Sequence, residues 1–293
     1  YLELIEDGSA WGGLRAGVTD GELDNRFGLM DTAGIDLQVL SATPVPPHLP
    51  GEHDAVGAAR LVNDEYAELV RRFPGRFRAF AALPLPHVDA SLTELARCLD
   101  ELDMVGAAIT TSVLGRSLAD PAFLPVYAEL DRRGSVLFVH PAGAGAESPL
   151  ITGDMTWSVG APVEDTIAVA RLVLDGIPSR FPHLKIIVPH LGGALPMLVE
   201  RLDRQFTWES PDTPERPRDA VRRMWFDTVA HDHTPALRVA IDSLGADRLV
   251  LGTDFPFQAG DAFLEAVTYV QRAGLADADV DRILDVNAAA LIG

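Results

Sequence analysis

The chain has 293 residues, of which 47% are hydrophobic and 23% are charged, and its formal net charge is −19. This composition is that of a globular protein with a large core, not of a disordered or low-complexity chain. An acidic surface repels phosphate backbones, which argues against nucleic acid as a partner. No apolar run approaches the ~20 residues that span a bilayer, and the start of the chain lacks the features of a signal peptide. We therefore expect a cytoplasmic enzyme without membrane association.

The single cysteine, Cys98, cannot form an internal disulfide, so cysteine usage gives no reason to expect secretion. It lies in a segment that carries Leu92, Leu95, Leu99 and Leu102 at helical spacing. This pattern predicts a packed core residue rather than a nucleophile.

Seven segments are predicted as strands, and several are near-continuous apolar runs of the kind found in parallel sheets buried on both faces. Helical patterns lie between them, so helix follows strand throughout, which predicts an α/β fold. The predicted strands are Asp36–Val45, Phe77–Leu85, Val105–Val113, Ser135–Ala142, Leu184–Gly193, Met224–Ala230 and Arg248–Phe257.

We expect these strands to form a distorted (β/α)8 barrel in a single domain over residues 1–293. A barrel needs eight strands. Because seven are visible, we expect the first strand upstream of Tyr1, with residues 1–20 forming a hairpin or an insertion. A doubly wound open sheet is the alternative fold, although no G-x-G-x-x-G sequence follows a strand and opens a helix.

Three side chains that could bind a metal or transfer a proton follow three different predicted strands. They are His140, His190 and Asp254. The catalytic face of a barrel lies at the carboxyl ends of its strands, so we expect the three to converge. Imidazole and carboxylate groups suit zinc and similar ions, which polarise a substrate oxygen or acidify a bound water. Each residue alone has a structural alternative, because such residues also shape strand ends and turns.

The segments after the strands contain further candidates. His190 is followed by Gly192 and Gly193, which permit a sharp turn and the close approach of a ligand. His231, just past the sixth predicted strand, could line the site. Trp157 follows the fourth predicted strand and could form a lid or a substrate wall, or belong to a mobile surface loop. No serine lies in a G-x-S-x-G motif, so a serine hydrolase has no support.

Eight motifs spread over nearly the whole chain occur in an order typical of one family. They are Leu29–Asp36, Phe138–Pro141, Trp157–Pro162, Arg180–Lys185, Pro189–Pro196, Phe226–Asp232, Leu251–Pro256 and Asn287–Gly293. Together they resemble the amidohydrolase-2 family, which includes aminocarboxymuconate-semialdehyde decarboxylase and related non-oxidative decarboxylases.

The resemblance implies a distorted barrel with one divalent metal, usually zinc. It implies that His140 and Asp254 bind the metal. It also implies that His190 is the acid/base that handles the substrate proton or activates water. Trp157 would stand near the substrate. A homodimer is expected by resemblance only.

Two features depart from the family pattern. The first-strand His-x-His pair of the family is absent, and the only such pair, His231-Asp-His233, belongs to another strand. Two metal ligands are therefore expected outside this sequence. The related decarboxylase also has a substrate-binding arginine in a Phe-Arg context near its N-terminus. The corresponding segment here, which ends at Arg15, has no clear counterpart, and Arg15 is its only candidate.

The expected function is metal-dependent decarboxylation of a small carboxylated compound, unsaturated or aromatic. His190 would transfer a proton, while Asp254 would bind the metal and could assist as a base. A metal-dependent hydrolase of an amide or a lactone is the first alternative. A metal-free relative, or a barrel that binds a ligand without turnover, is an alternative of another class.

Overall fold

The structure is a computed structural model that describes residues 17–145, 148–151 and 155–292. The predicted N-terminal hairpin and Arg15 lie outside these residues. The strands are β1 (Gln38–Leu40), β2 (Phe77–Ala79), β3 (Ala81–Ala82), β4 (Gly106–Thr110), β5 (Ser112–Val113), β6 (Arg116–Ser117), β7 (Val136–His140), β8 (Lys185–Val188), β9 (Trp225–Asp227) and β10 (Leu249–Val250).

Each predicted strand contains at least one strand of the structure, but the predicted bounds are too wide. The apolar pattern continues into the loops at the carboxyl ends of the strands, where the chain no longer pairs with its neighbour. The hydrogen-bonded segments are therefore only two to five residues long. Pairing, unlike hydrophobicity, depends on the neighbouring strand.

The parallel strands follow one another in chain order. β1 pairs with β2, and a second sheet has the order β3-β4-β7-β8-β9-β10. Phe80 alone separates β2 from β3. This sequential order is the topology of a barrel, whereas a doubly wound sheet reverses its strand order. Within the described ranges β1 and β10 do not pair with each other, and β5 and β6 form a separate antiparallel hairpin.

Helices fill the connections and cover the outer face of the strands. They are α1 (Asp20–Ala33), α2 (Glu52–Arg72), α3 (Val88–Asp100), α4 (Leu124–Arg133), α5 (Ala161–Leu174), α6 (Ile177–Arg180), α7 (Leu195–Glu209), α8 (Pro217–Val221), α9 (Thr234–Leu244), α10 (Asp261–Gln271), α11 (Asp277–Asp281) and α12 (Asn287–Ile292). Among the described residues, no helix is both long and apolar enough to cross a membrane.

The main core lies between the sheet and these helices. Its members include Leu137 and Val139 of β7, Ile186 and Val188 of β8, and Cys98 of α3. Cys98 is fully buried, so the prediction of a packed cysteine is confirmed. That residues 1–293 form a single domain stays a prediction.

Candidate active site

The carboxyl ends of the parallel strands open onto a cavity of about 1660 Å³. His140, His190 and Asp254 all line it. The three residues therefore lie at one cavity although they are 50 or more positions apart in the sequence, as expected for residues at the carboxyl ends of barrel strands. Asp227, the last residue of β9, also lines this cavity, although the sequence analysis did not single it out.

His140 is the last residue of β7 and is held by its own strand end. Its Nδ1 donates to the carbonyl of Pro141 at 3.0 Å, which leaves Nε2 as the other ring nitrogen available for a ligand. Burial, reinforced by the neighbouring His190, lowers the pKa of His140 to about 3. His140 is therefore a neutral imidazole, the form that binds a metal.

His190 lies two residues beyond β8, and its backbone adopts an unusual conformation. The φ angles of His190 and Leu191 are 53° and 56°, in the left-handed region that residues with a Cβ rarely occupy. The backbone N–H of His190 donates to Asp227 Oδ1 at 2.8 Å. Gly193, also at positive φ, packs so closely on α5 that a Cβ there would collide with the carbonyl of Pro162. These backbone contacts fix the turn after β8 independently of the imidazole ring.

The imidazole of His190 is in turn anchored to α5. Its Nδ1 lies 2.8 Å from Oδ2 of Asp165, a residue with no exposed surface. Burial disfavours protonation of His190, but the hydrogen bond to Asp165 and the nearby carboxylates of Asp227 and Asp254 outweigh it and raise the pKa to about 9. The rings of His140 and His190 are 6.2 Å apart, so a neutral and a cationic imidazole face the same cavity.

Two further carboxylates complete this charge arrangement. Asp227 Oδ1 accepts from the backbone N–H groups of His190 and Val229 at 2.8 and 3.0 Å. Burial raises the pKa of Asp227 to about 6. Burial also raises the pKa of Asp254, against the effect of His190 and His231. Asp254 forms no ion pair with a lysine or an arginine in the described ranges, so a cation would stabilise its charged form.

Three consecutive residues in the first turns of α5 hold the loops around the site. Glu164 accepts from Thr111 Oγ1 and from the backbone N–H groups of Ala142 and Gly145, each at 2.7 Å. Asp165 accepts from His190, and Thr166 Oγ1 accepts from the N–H of Ala194. α5 therefore connects the loop after β7 with the turn after β8.

Two aromatic side chains from different loops stack on each other beside the cavity, and of the two only Phe257 lines it. Trp157, in the π-helical turn Thr156–Gly160, stacks on Phe257 with a ring separation of 6.3 Å and an interplanar angle of 23°. The two residues are 42% and 37% exposed, and Phe257 lines the cavity. A Cβ on Gly143 would lie 2.7 Å from the Trp157 ring, so this position favours glycine. The pair offers a planar apolar wall at the entrance.

The remaining predicted site residues are not brought into this cavity by the described chain. His231 lies just beyond β9 and lines a separate small pocket with Asp232 and Tyr269. It does reach Asp254 electrostatically, since it opposes the rise in the pKa of that carboxyl. Arg15 lies outside the described residues, and its assignment stays a prediction.

Sequence reasoning missed Asp165, Glu164 and Asp227. Asp227 carried a usable signal, because it ends a predicted strand as His140 does. Glu164 and Asp165 lie in the first turns of α5, which begins at Ala161, and the sequence analysis assigned no role to either residue. Their partners lie in other loops, which no local pattern identifies.

Two of the side chains that line the cavity are chemically suited to bind a divalent metal. The Nε2 of His140 and the carboxylate of Asp254 have the right chemistry and line the same cavity. No group of three or more histidine, cysteine, aspartate or glutamate side chains surrounds a common point among the described residues. These residues thus fit a metal as two ligands, and the other ligands must come from substrate, water or residues outside the described ranges.

A family model and several relatives named as decarboxylases match this chain. The amidohydrolase family model matches residues 17–293. The chain is 32% identical over 244 residues to a 2-amino-3-carboxymuconate-6-semialdehyde decarboxylase of Dictyostelium discoideum, covering 81% of this chain and 67% of that protein. It is 31% identical over 301 residues to a gamma-resorcylate decarboxylase of a Rhizobium species, covering 96% of this chain and 90% of that protein.

A solved structure of similar fold contains both a metal and an inhibitor. It is a dihydroxybenzoic acid decarboxylase from a Polaromonas species with bound manganese and 2-nitroresorcinol. It superposes on this chain with a TM-score of 0.83 at 27% identity, and the match covers 99% of this chain and 92% of that one. The region that the amidohydrolase family model matches includes His140, His190 and Asp254.

Proposed function

The chain belongs to the amidohydrolase family, and on this basis we propose that it is a metal-dependent decarboxylase of a small aromatic or unsaturated carboxylic acid. The observation that carries the proposal is the orientation of His190. One ring nitrogen is anchored to a buried carboxylate, and the residue lines the cavity beside His140. The relatives described above are named as decarboxylases, which favours decarboxylation over hydrolysis of an amide or a lactone.

The proposed reaction requires a proton donor and a site for an anion. His190 donates a proton to the substrate carbon that bears the carboxylate. The bond between that carbon and the carboxyl carbon then breaks, its electron pair returns to the substrate ring, and carbon dioxide leaves. His190 regains its proton from solvent. The raised pKa of His190 keeps the donor protonated near neutral pH.

His140 and Asp254 would hold the metal in this proposal. A divalent ion there would supply positive charge for the carboxylate or phenolate oxygens of the substrate. Asp254, with its pKa raised by burial, is also placed to accept a proton. The Polaromonas enzyme binds manganese. Zinc remains our prediction for this chain, and both ions belong in the assay.

The aromatic wall at the cavity mouth supports an aromatic substrate. Trp157 and Phe257 are nearly parallel, and both are partly exposed. A planar ring can stack against such a surface, an interaction worth about 0.5–1.5 kcal/mol beyond the area buried. We assign Trp157 to substrate binding on this ground, and we retain His231 and Arg15 as further candidates. The cytoplasmic location and the homodimer also remain proposals.

Release of carbon dioxide from gamma-resorcylate and related hydroxybenzoates tests the proposed function. The purified protein, supplied in parallel with zinc or manganese, is expected to convert at least one of these acids to its decarboxylated phenol. The His190→Gln variant is the matched control, since it removes the proton donor and retains a polar side chain. Product is measured by liquid chromatography, and carbon dioxide by a coupled assay.

No turnover of any carboxylated aromatic or unsaturated acid with either metal would contradict the proposal. Hydrolysis of an amide or lactone panel by the same preparation would establish the hydrolase alternative instead. Equal decarboxylation by the wild type and the His190→Gln variant would leave the reaction in place but remove His190 from it.

A further inference from the structure

We infer that Asp165 is a positioning residue for His190. Its carboxylate holds a proton on Nδ1 of the imidazole and thereby directs the Nε2 edge towards the cavity. The kinetic part of this inference rests on the proposed function, whereas the hydrogen bond itself can be tested without turnover.

The geometry of the pair is specific. Oδ2 of Asp165 lies 2.8 Å from Nδ1 of His190. Burial raises the pKa of Asp165 to about 7, but the pKa of His190, about 9, is higher, so the imidazole keeps the shared proton and the carboxylate accepts the hydrogen bond. The proton between them therefore belongs to Nδ1. The Nε2 atom makes no hydrogen bond to any residue the structure describes, and His190 lines the cavity. Proton exchange with a substrate is then confined to Nε2.

The other contacts of the site fix the backbone of His190 but do not fix the rotation of its imidazole ring. Asp227 fixes its backbone N–H, and the left-handed backbone of His190 and Leu191 fixes the direction in which the side chain leaves the turn. Neither constraint acts on the imidazole ring. The bond to Asp165 does, because it ties one ring nitrogen to a helix on the opposite side of the turn.

The contacts of Asp165 with the described residues indicate no role for its side chain other than binding His190. It has no exposed surface and does not line the cavity, so it has no direct route to a substrate. Its second oxygen, Oδ1, is buried without a hydrogen-bond partner. The adjacent Glu164 differs, because both of its oxygens hold the loop after β7. Buried polar atoms are normally paired. Among the described residues the carboxylate of Asp165 bonds no side chain except that of His190, so it is placed for that residue.

Nuclear magnetic resonance of the imidazole proton tests the bond directly. In the wild type, the Nδ1 proton of His190 is expected as a downfield resonance protected from exchange, assigned by its absence from the His190→Gln variant. The Asp165→Ala variant removes the acceptor without adding bulk, so the resonance should vanish. Glu94→Gln is the matched control, a buried carboxylate on α3 that is bonded to Asn63 and Arg97, and it should keep the resonance.

Kinetics then test positioning. Asp165→Asn is expected to lower kcat about 10- to 100-fold, as loss of an orienting partner typically does, with KM nearly unchanged. In the His190→Gln background, the same substitution should have no further effect on kcat, because Asp165 acts only through His190. Glu94→Gln should leave kcat unchanged.

The results that overturn the inference are distinct from failure of the proposed function. If the Nδ1 resonance is missing in the wild type, or survives in Asp165→Ala, the bond is not formed as described, whatever the enzyme catalyses. If the resonance behaves as expected but kcat falls equally in Asp165→Asn and Glu94→Gln, Asp165 is merely structural. If no decarboxylation occurs in any variant, the proposed function fails, while the resonance still decides the bond.

Discussion

The carboxyl ends of β7 and β8 present the same side chain to one cavity in opposite electrostatic surroundings. His140 bonds only a backbone carbonyl, and burial lowers its pKa to about 3. His190, 6.2 Å away, bonds a buried carboxylate, and its pKa is raised to about 9. One ring is therefore suited to bind a metal and the other to carry a proton.

The difference between the two histidines does not arise from the strands. β7 and β8 are adjacent, parallel and equally buried, and each ends at the cavity. What differs is the partner that the next element supplies. Asp165 of α5 reaches His190, whereas Glu164, its neighbour in sequence, reaches the loop after His140 and not the ring. The position of α5 thus determines which of the two histidines has a carboxylate partner.

The largest expected effect is the loss of activity on replacing His190. His190→Gln should lower kcat about 10²- to 10⁴-fold, the range that a general acid typically contributes, while bound metal stays near the wild-type amount. Steady-state kinetics and metal analysis on one preparation measure both. If metal is lost together with activity, His190 is a ligand and the contrast between the two histidines does not hold.

The reciprocal change should act on the metal. His140→Ala removes a direct ligand and should weaken metal affinity by more than about 100-fold, since even loss of an orienting partner costs 10- to 100-fold. Competition with a chromophoric chelator gives the affinity. His183→Ala serves as the control, because that histidine lies in the exposed loop between α6 and β8. Unchanged affinity in His140→Ala would place the metal elsewhere.

The loop after β7 should depend on Glu164 rather than on Asp165. Glu164→Gln disrupts charge-assisted bonds to Thr111 and to two backbone N–H groups, and is expected to lower the free energy of unfolding by about 1–3 kcal/mol. Urea-induced unfolding measures it. Glu209→Gln, at the exposed end of α7, should change stability by less than about 0.5 kcal/mol. A larger loss of stability in Asp165→Asn than in Glu164→Gln would reverse the roles assigned to these residues.

The smallest expected effect is a difference in how stability depends on pH. The folded-state pKa of His190, about 9, exceeds its ordinary value of 6.5, so its contribution is complete below pH 6.5 and is lost as the pH rises through 9. The folded-state pKa of His140, about 3, is below 6.5, so its contribution is complete above pH 6.5 and is lost as the pH falls towards 3. Thermal unfolding across this range should therefore show a shallower alkaline decline in His190→Gln and a shallower acid decline in His140→Gln. Identical profiles for both variants would contradict the contrast.

The sequence predicted the fold class from its apolar pattern and the family from its resemblance in motifs, and the first prediction has a physical reason. Buried parallel strands require apolar runs at regular intervals, and these are local properties of the chain. The comparisons confirm the family and the barrel class, and the structure confirms the location of all seven predicted strands. The same pattern locates the ends of the strands, so the sequence alone identifies His140, His190 and Asp254 as candidate site residues.

By itself, then, the sequence determined where the parallel strands end, because strand ends are set by local hydrophobic pattern and chain order, although it did not single out Asp227 at the end of β9. Only the tertiary structure decided what the residues at those ends can do. The protonation of His190 depends on Asp165, 25 residues earlier on a helix whose position is set by core residues such as Val169 and Leu172. A change of one helical position would turn that carboxylate away from the ring by about 100°. A local sequence pattern does not predict the orientation of this carboxylate, since it results from the sum of many core contacts.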